Sequence, residues 1–334
     1  MITSRPLKVC IYGAGAVGGT IGVLLALAGA DISVVAHGDT FAAISNDGLQ
    51  LTKDGKTHRV HVRVTDDPSQ LGPQDYVIVS VKTPSLEDVA AHIAPLLNRN
   101  TKVITAMNGV PWWFFVGGNW VLSNTRLAAV DPHGIVEKGI PLTQTVGCVV
   151  YMACSVDAPG KVRHSSGNKL ILGYADNSPV DGLDDVKGML NSAGFSCHVT
   201  PAIRNDIWYK LWGNLSINPI SLLTGETSDV IIDDPLVYEL CVQMMQEAAA
   251  IGEAIGIPMT VSTSEMIGRA KSLGAFKTSM LQDTEAGKPV ELDALLTVAH
   301  DIGKIVDLPT PFIDSVLGLA RLRARKLGLL DRAA

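Results

Sequence analysis

The chain has 334 residues, 47% of them hydrophobic, and a formal net charge of −6. Such a length favours two domains over one, and such a composition can bury sizeable cores. An acidic balance without a long basic run argues against nucleic acid or an anionic membrane as partner.

The N-terminal stretch MITSRPLKVCIYGAG enters an apolar strand almost at once, without the order of leader, apolar core and cleavage site that marks a signal peptide. KVCIYGAG reads as a strand and glycine turn, AVGGTIGVLLALAGA as a small-residue helix, and DISVVAH as a second strand. The most apolar part of that helix, TIGVLLALAGA, is 11 residues, too short to span a bilayer. After a charged, hairpin-like stretch come the strand DYVIVSVK, the helix SLEDVAAHIAPLL and the strand TKVITAMNG. Apolar strands alternating with helices imply parallel pairing in a doubly wound sheet. QTVGCVVYMACSVDAPGKVRHSSGNKLILGYAD reads as β-hairpin material, broken at DAPGK and at SSGN, that extends the same sheet.

From about Ala202 strand signals vanish, and helical patterns run over 202–218, 233–255, 263–287, 290–306 and 311–326. The fold class expected is α/β: a Rossmann-type, dinucleotide-binding domain over 1–200, then an all-α substrate and catalytic domain over 201–334. The basic RLRARK near the end is the charged last turn of a helix. The five scattered cysteines and eight histidines show no paired ligand spacing, so no metal site is expected and the thiols suit a reducing, cytoplasmic compartment. A homodimer is compatible with the apolar helical half, but no feature requires it.

GAGAVG places G-x-G-x-x-G at Gly13, Gly15 and Gly18, between a strand and a helix. Gly13 permits the tight turn, Gly15 lets the backbone approach a pyrophosphate, and Gly18 lets helix and strand pack closely. The backbone of Gly13, Ala14, Gly15, Ala16, Val17 and Gly18 is therefore the expected phosphate cradle, at a helix N-terminus. The second strand ends in Ala36, His37 and Gly38, without an acid at the strand end; Asp39 follows in the loop and keeps NAD open. His37 and Lys82 are candidate phosphate contacts, which favours NADP.

DIWYKLWGNLSINPISLLTG puts Lys210, Asn214 and Asn218 at i, i+4 and i+8, a polar stripe on an otherwise apolar helix. The stripe is either a solvated face or one side of an interdomain cleft. Pro219 disfavours helical geometry at Asn218, so the helix is expected to kink or end there. Asn108-Gly109, after a strand, fits either a ligand site at a strand end or plain turn chemistry. Pro289 looks like the first residue of a helix, with Glu291 in its first turn.

In this order the pieces resemble the ketopantoate reductase family (2-dehydropantoate 2-reductases) over nearly the whole chain. The resemblance rests on GAGAVGG, SVKT at 80–83, NG at 108–109, GKVRHSSG at 160–167, IWYKLWGNLSINPISLLTG at 207–225 and TSMLQDTEAGKPVELDAL at 278–295. It implies NADPH-dependent reduction of ketopantoate to pantoate, in pantothenate biosynthesis. By resemblance Lys210 is the catalytic lysine and Glu291 the catalytic carboxylate. Asn108, Asn214 and Asn218 contact substrate, Ser279 binds its carboxylate, Asp283 is a recurrent acid beside it, and Lys82 and Asn108 lie at the cofactor.

Two positions depart from the family pattern. His37 stands where the family often has an arginine for the NADP phosphate. VPWWFFVGGNW, residues 110–120, replaces a small, polar stretch with five aromatics, Trp112, Trp113, Phe114, Phe115 and Trp120. That segment is a loop packed on its own domain, a lid over the substrate, or a dimer patch. It motivates an alternative, reduction of a bulkier 2-oxo acid. A non-catalytic dinucleotide-binding sensor is the other alternative, and an intact Lys210, Asn214, Asn218 and Glu291 set argues against it.

Overall fold

The structure is a computed structural model that describes residues 5–117 and 121–330. Its strands are β1 (Lys8–Tyr12), β2 (Asp31–Val35), β3 (Leu49–Lys53), β4 (Lys56–Val60), β5 (Arg63–Thr65), β6 (Tyr76–Val79), β7 (Lys102–Ala106), β8 (Thr145–Ala158), β9 (Lys161–Tyr174) and β10 (Ser196–Val199). They form one sheet in the order β4-β3-β9-β8-β7-β6-β1-β2-β5, with β10 added alongside β9. The run β5-β2-β1-β6-β7-β8 is parallel throughout. It reproduces the doubly wound dinucleotide-binding order, whose switch point lies between the first and fourth strands of the run in chain order, here β1 and β6. Tyr12 and Val79, the last residues of those strands, are register partners.

The helices of this part are α1 (Ala16–Leu27), α2 (Gly38–Asp47), α3 (Leu86–His92), α4 (Ile135–Gly139) and α5 (Asp184–Ser192). Most of α1 is buried, with no polar face, as expected of a helix enclosed on all sides. A methyl on Gly22 would lie 3.1 Å from Ile11 in β1 and 3.4 Å from Leu49 in β3, and one on Gly19 would lie 2.8 Å from Val162 in β9. β3 and β9 are remote from β1 in the strand order, so the sheet curls to put both within reach of α1. The small residues of α1 are what that enclosure requires.

The chain divides into two compact units, one of residues up to Met107 with His133–Ile203, the other of Asn108–Pro132 with the chain from Arg204 onward. The sequence pattern suggests one boundary, after residue 200; here the chain also changes unit on either side of 108–132. The second unit holds α6 (Ile203–Thr224), α7 (Ser228–Asp233), α8 (Pro235–Ala254), α9 (Thr263–Lys271), α10 (Ser279–Glu285), α11 (Val298–Ile305) and α12 (Pro311–Lys326). Trp208 and Trp212 of α6 are buried and donate their indole N–H groups to the Ala248 and Met245 carbonyls of α8 at 3.3 and 2.7 Å.

Several expectations are corrected. α6 continues through Pro219 to Thr224; it tolerates a missing donor where its neighbours, Asn218 to Leu222, are all buried in packing. The pattern over 263–287 is two helices, interrupted where Gly274 takes φ +65°. The one over 290–306 opens with a π-helical turn, Asp293–Thr297, and Glu291 precedes the helical residues. SSGN does not end a strand: it lies inside β9 as a register irregularity, with Gly167 at φ +75°. α2, α5 and β10 carry too little periodic signal to be expected from the sequence. Among the described residues, no helix is long and apolar enough to cross a membrane.

Candidate active site

The glycine turn is built as its spacing requires. Gly13 has φ +94°, and a Cβ there would lie 2.6 Å from Val81 Cγ1. A Cβ on Gly18 would run into Ser80 Oγ and the Gly13 carbonyl oxygen. Ser80, just after β6, donates its hydroxyl to that same carbonyl at 2.8 Å, which ties the turn to the switch point. Around Gly15 nothing lies within 4 Å of a Cβ position, so the backbone there is open to approach. Ala14, Ala16 and Val17 complete the turn, and α1 opens at Ala16 with no side-chain cap, leaving its first N–H groups without intrahelical acceptors. His37 is exposed and stands as the residue before α2; Lys82 is half-buried, just after β6.

In the second unit the polar stripe of α6 opposes its tryptophans. Lys210 and Asn214 are half-buried, and Asn218 is buried. The Lys210 ammonium donates to Asn108 Oδ1 at 2.6 Å. So the lysine does not face bulk solvent: it meets an amide that follows β7 in the chain. The segment bearing that amide is fixed by its neighbours. Gly109 has φ +80°, and a Cβ on it would collide with the Ala294 carbonyl oxygen, while Val110 N–H donates to that oxygen at 2.9 Å. Ala294 belongs to the π-helical turn, a device that often marks functional sites.

Glu291 is half-buried three residues before Ala294. Ser279 is exposed at the first position of α10. Its predecessor Thr278 caps that helix and shares a 2.6 Å hydrogen bond with Ser221 of α6, one turn beyond Asn218. Asp283 is half-buried in α10, and its carbonyl accepts the Lys288 N–H at 2.8 Å. Lys210, Asn214, Asn218, Asn108, Ser279, Asp283 and Glu291 thus all belong to one compact unit.

The aromatic segment is core. Trp112, Trp113, Phe114 and Phe115 are at most 3% exposed. Phe114 packs on Trp208 of α6 with ring centres 6.1 Å apart, and on Phe115 edge-to-face at 5.0 Å. Trp120 lies outside the described residues. Of the expected alternatives the packed loop is the one observed, although its partner is the helical unit rather than the sheet. Arg204, absent from the expected site residues, is 1% exposed and hydrogen-bonded to this segment. A charge in the first turn of an apolar helix, beside an aromatic run with few donors of its own, is the signal that could have found it.

Residues 9–177 match the family model described as ketopantoate reductase PanE/ApbA, and residues 202–324 match its C-terminal counterpart. The chain belongs to the ketopantoate reductase family. A 2-dehydropantoate 2-reductase of Mesorhizobium japonicum is 44% identical over 96% of this chain and 99% of its own length. A solved ketopantoate reductase candidate from Ralstonia solanacearum is 48% identical and superposes with a TM-score of 0.94, covering 98% of this chain and 100% of its own. D-mandelate dehydrogenase, solved with NADH and anilino(oxo)acetate, shares the fold at a TM-score of 0.85 and 19% identity, over 97% of this chain and 100% of its own. As a member of the ketopantoate reductase family, the chain is an oxidoreductase.

Proposed function

We propose that this chain reduces 2-dehydropantoate (ketopantoate) to pantoate with NADPH, as an NADP-dependent enzyme of pantothenate biosynthesis. The observation that carries the reading is the 2.6 Å bond from the Lys210 ammonium to Asn108 Oδ1. A solvated lysine on a helix surface needs no such partner; a proton donor that must hold one direction does.

The glycine turn fits a dinucleotide. Backbone groups of Gly13, Ala14, Gly15, Ala16, Val17 and Gly18 would hold the pyrophosphate, with the open face at Gly15 leaving room for it. His37 and Lys82 are the candidate partners of the additional phosphate of NADP. When bound, the nicotinamide supplies a hydride to the keto carbon.

The remaining chemistry belongs to side chains. Negative charge grows on the substrate's keto oxygen, and the Lys210 ammonium stabilises it and gives it a proton. Asn108, by accepting from the ammonium, fixes its direction before substrate arrives, so little reorganisation is left for the reaction. Asn214 and Asn218, one and two turns along the same helix face, hydrogen-bond substrate oxygens. Ser279, at the first position of α10, receives the substrate carboxylate. Glu291 accepts from the substrate hydroxyl. A substrate lacking that hydroxyl forfeits this hydrogen bond, which can cost about 10⁴-fold in kcat/KM.

The bulkier-substrate reading drew on the aromatic segment. With Trp112, Trp113, Phe114 and Phe115 buried in the helical core, that motive is gone. Fold likeness to D-mandelate dehydrogenase does not restore it, because one fold hosts many substrates. A cytoplasmic location is expected, and a homodimer is compatible with the sequence; solution mass would read the oligomeric state.

The test is NADPH oxidation followed at 340 nm with ketopantoate, beside NADH and beside 2-oxo acids lacking the hydroxyl. Selective turnover of ketopantoate with NADPH is expected, and Lys210→Ala should lower kcat by about 10²–10⁴ with the fold intact. Full activity in that variant would remove Lys210 as the proton donor. Equal losses on hydroxylated and plain 2-oxo acids in Glu291→Ala would remove its role in recognition.

A further inference from the structure

Lys210 and its partner Asn108 lie far apart in the chain, and something must hold Asn108 in place. Close after it, the chain is pinned by the Val110 N–H bond to the Ala294 carbonyl at 2.9 Å. Further along the same segment it is pinned again, from α6 itself. Arg204, in the first turn of that helix, is 1% exposed. Its Nε donates to the Phe114 carbonyl at 2.6 Å, and its Nη2 donates to the carbonyls of Trp113 and Val116 at 3.3 and 3.2 Å. The guanidinium also lies over the Trp113 ring, 5.3 Å from its centre.

Residues 111–116 form consecutive turns, in which Phe114 N–H donates to Pro111 and Val116 N–H to Trp113. Such turns use up local donors and leave carbonyls that need partners in a dry interior. A planar fork with several donors reaches the Phe114 and Val116 carbonyls at once and adds a second bond to that of Trp113, which a lysine's compact and strongly hydrated ammonium cannot. Lys210 stands six residues further along α6, about 9 Å of helix rise. The two cations of one helix therefore hold two points of one strap, residues 108–116: Arg204 its far end, Lys210 its near end.

We propose that Arg204 is a positioning residue for the reduction: by clamping the 113–116 turn to α6, it sets where Asn108 stands and hence where the Lys210 ammonium points. Arg204 touches neither substrate nor cofactor in this role. The inference rests on the proposed role of Lys210, and its test separates the two. The misplacement of a reacting group by about 1 Å can cost about 10²-fold in rate.

The experiment is a double-mutant cycle on the full chain, using Arg204→Lys and Asn108→Ala, with kcat and KM for ketopantoate and for NADPH measured separately and folding checked by circular dichroism and thermal melting. Arg204→Lys should fold, keep KM for NADPH within about twofold, and lose about tenfold to a hundredfold in kcat. In the Asn108→Ala background the same substitution should cost almost nothing more, because the two act along one path. A folded Arg204→Lys with unchanged kcat overturns the inference, as does a loss that simply multiplies with that of Asn108→Ala. Should Arg204→Lys fail to fold, Arg204→Gln, which keeps an amide donor and leaves no charge to bury, enters the same cycle with the same criteria. Failure of both to fold would make Arg204 a folding residue and overturn the positioning role. An active Lys210→Ala would sink this inference together with the assignment of the proton donor; an inactive one with a silent Arg204→Lys would sink this inference alone.

Discussion

At the scale of single residues, the site depends on atoms with no room to move. Gly18 faces Ser80 and the Gly13 carbonyl so closely that a methyl would have to displace backbone. Gly18→Ala should therefore weaken NADPH binding by about tenfold or more by spreading the turn that cradles the phosphates. Fluorescence titration of NADPH checks it, and unchanged affinity would show that the turn can give. Asn108→Ala should lower kcat by about tenfold to a hundredfold, well beyond any change in NADPH affinity, since the amine keeps its charge but loses its direction. Steady-state kinetics separate those two quantities.

Elements show a different economy. α8 is 20 residues long and is capped at its start by Asp234, whose Oδ1 accepts the N–H groups of Leu236 and Val237, each at 3.0 Å. Asp234→Ala should cost about 1 kcal/mol and lower Tm by about 2–4 °C. Because the cap touches none of the site residues, kcat should stay as it is; a kinetic defect would mean that α8 transmits strain to α6. The π-helical turn is braced from outside by side chains. Thr297 donates to Asp293 Oδ1 at 2.7 Å and accepts from Arg321 of α12 at 2.8 Å. Those bonds hold the turn that presents the Ala294 carbonyl to Val110, so a helical irregularity and a loop position settle each other.

For the molecule as a whole, the strap 108–132 makes the helical unit discontinuous in sequence. A fragment beginning at Arg204 lacks Phe114 and its neighbours, leaving Trp208 open and the Arg204 guanidinium without the three carbonyls it serves. Such a fragment should fail to fold cooperatively, as circular dichroism and a melting curve would show; a sharp transition would mean that the strap is dispensable.

Acid should act on the other unit through Asp75. Its carboxylate accepts from the Arg5 guanidinium at 2.7 and 2.8 Å and from the Lys8 N–H at 2.9 Å. Those partners, the Arg5 hydrogen bond first, hold its pKa below the ordinary value. A depressed carboxylate stabilises the fold above its unfolded pKa of about 4 and loses that contribution as pH falls through the folded value. Arg5 is largely exposed, so solvent screening limits the effect. Asp75→Asn should cost about 0.5–1 kcal/mol near neutral pH and progressively less below about pH 4, read from denaturation curves at both. A difference that persists in acid would assign the loss to packing instead.

Much of this was legible in one dimension, because local chemistry has local causes. The turn at Gly13, Gly15 and Gly18 needs glycine for steric reasons that hold wherever a strand feeds a helix around a phosphate. The stripe Lys210, Asn214, Asn218 follows from helical periodicity alone. The α/β-then-α division follows from where apolar alternation stops. What the sequence could not decide depends on partners distant in the chain. The run WWFF reads equally as lid, patch or core until Trp208 and Arg204 are seen to receive it. Pro219 ends helices in isolation but not where packing on every side holds the backbone. The π-helical turn takes its place from Arg321 and Val110, which no local pattern connects to it. By itself the sequence determined which side chains are candidates for the chemistry; the tertiary structure alone decided which of them meet, because a hydrogen bond such as Lys210 to Asn108 spans 102 residues and only the packed core can close that distance.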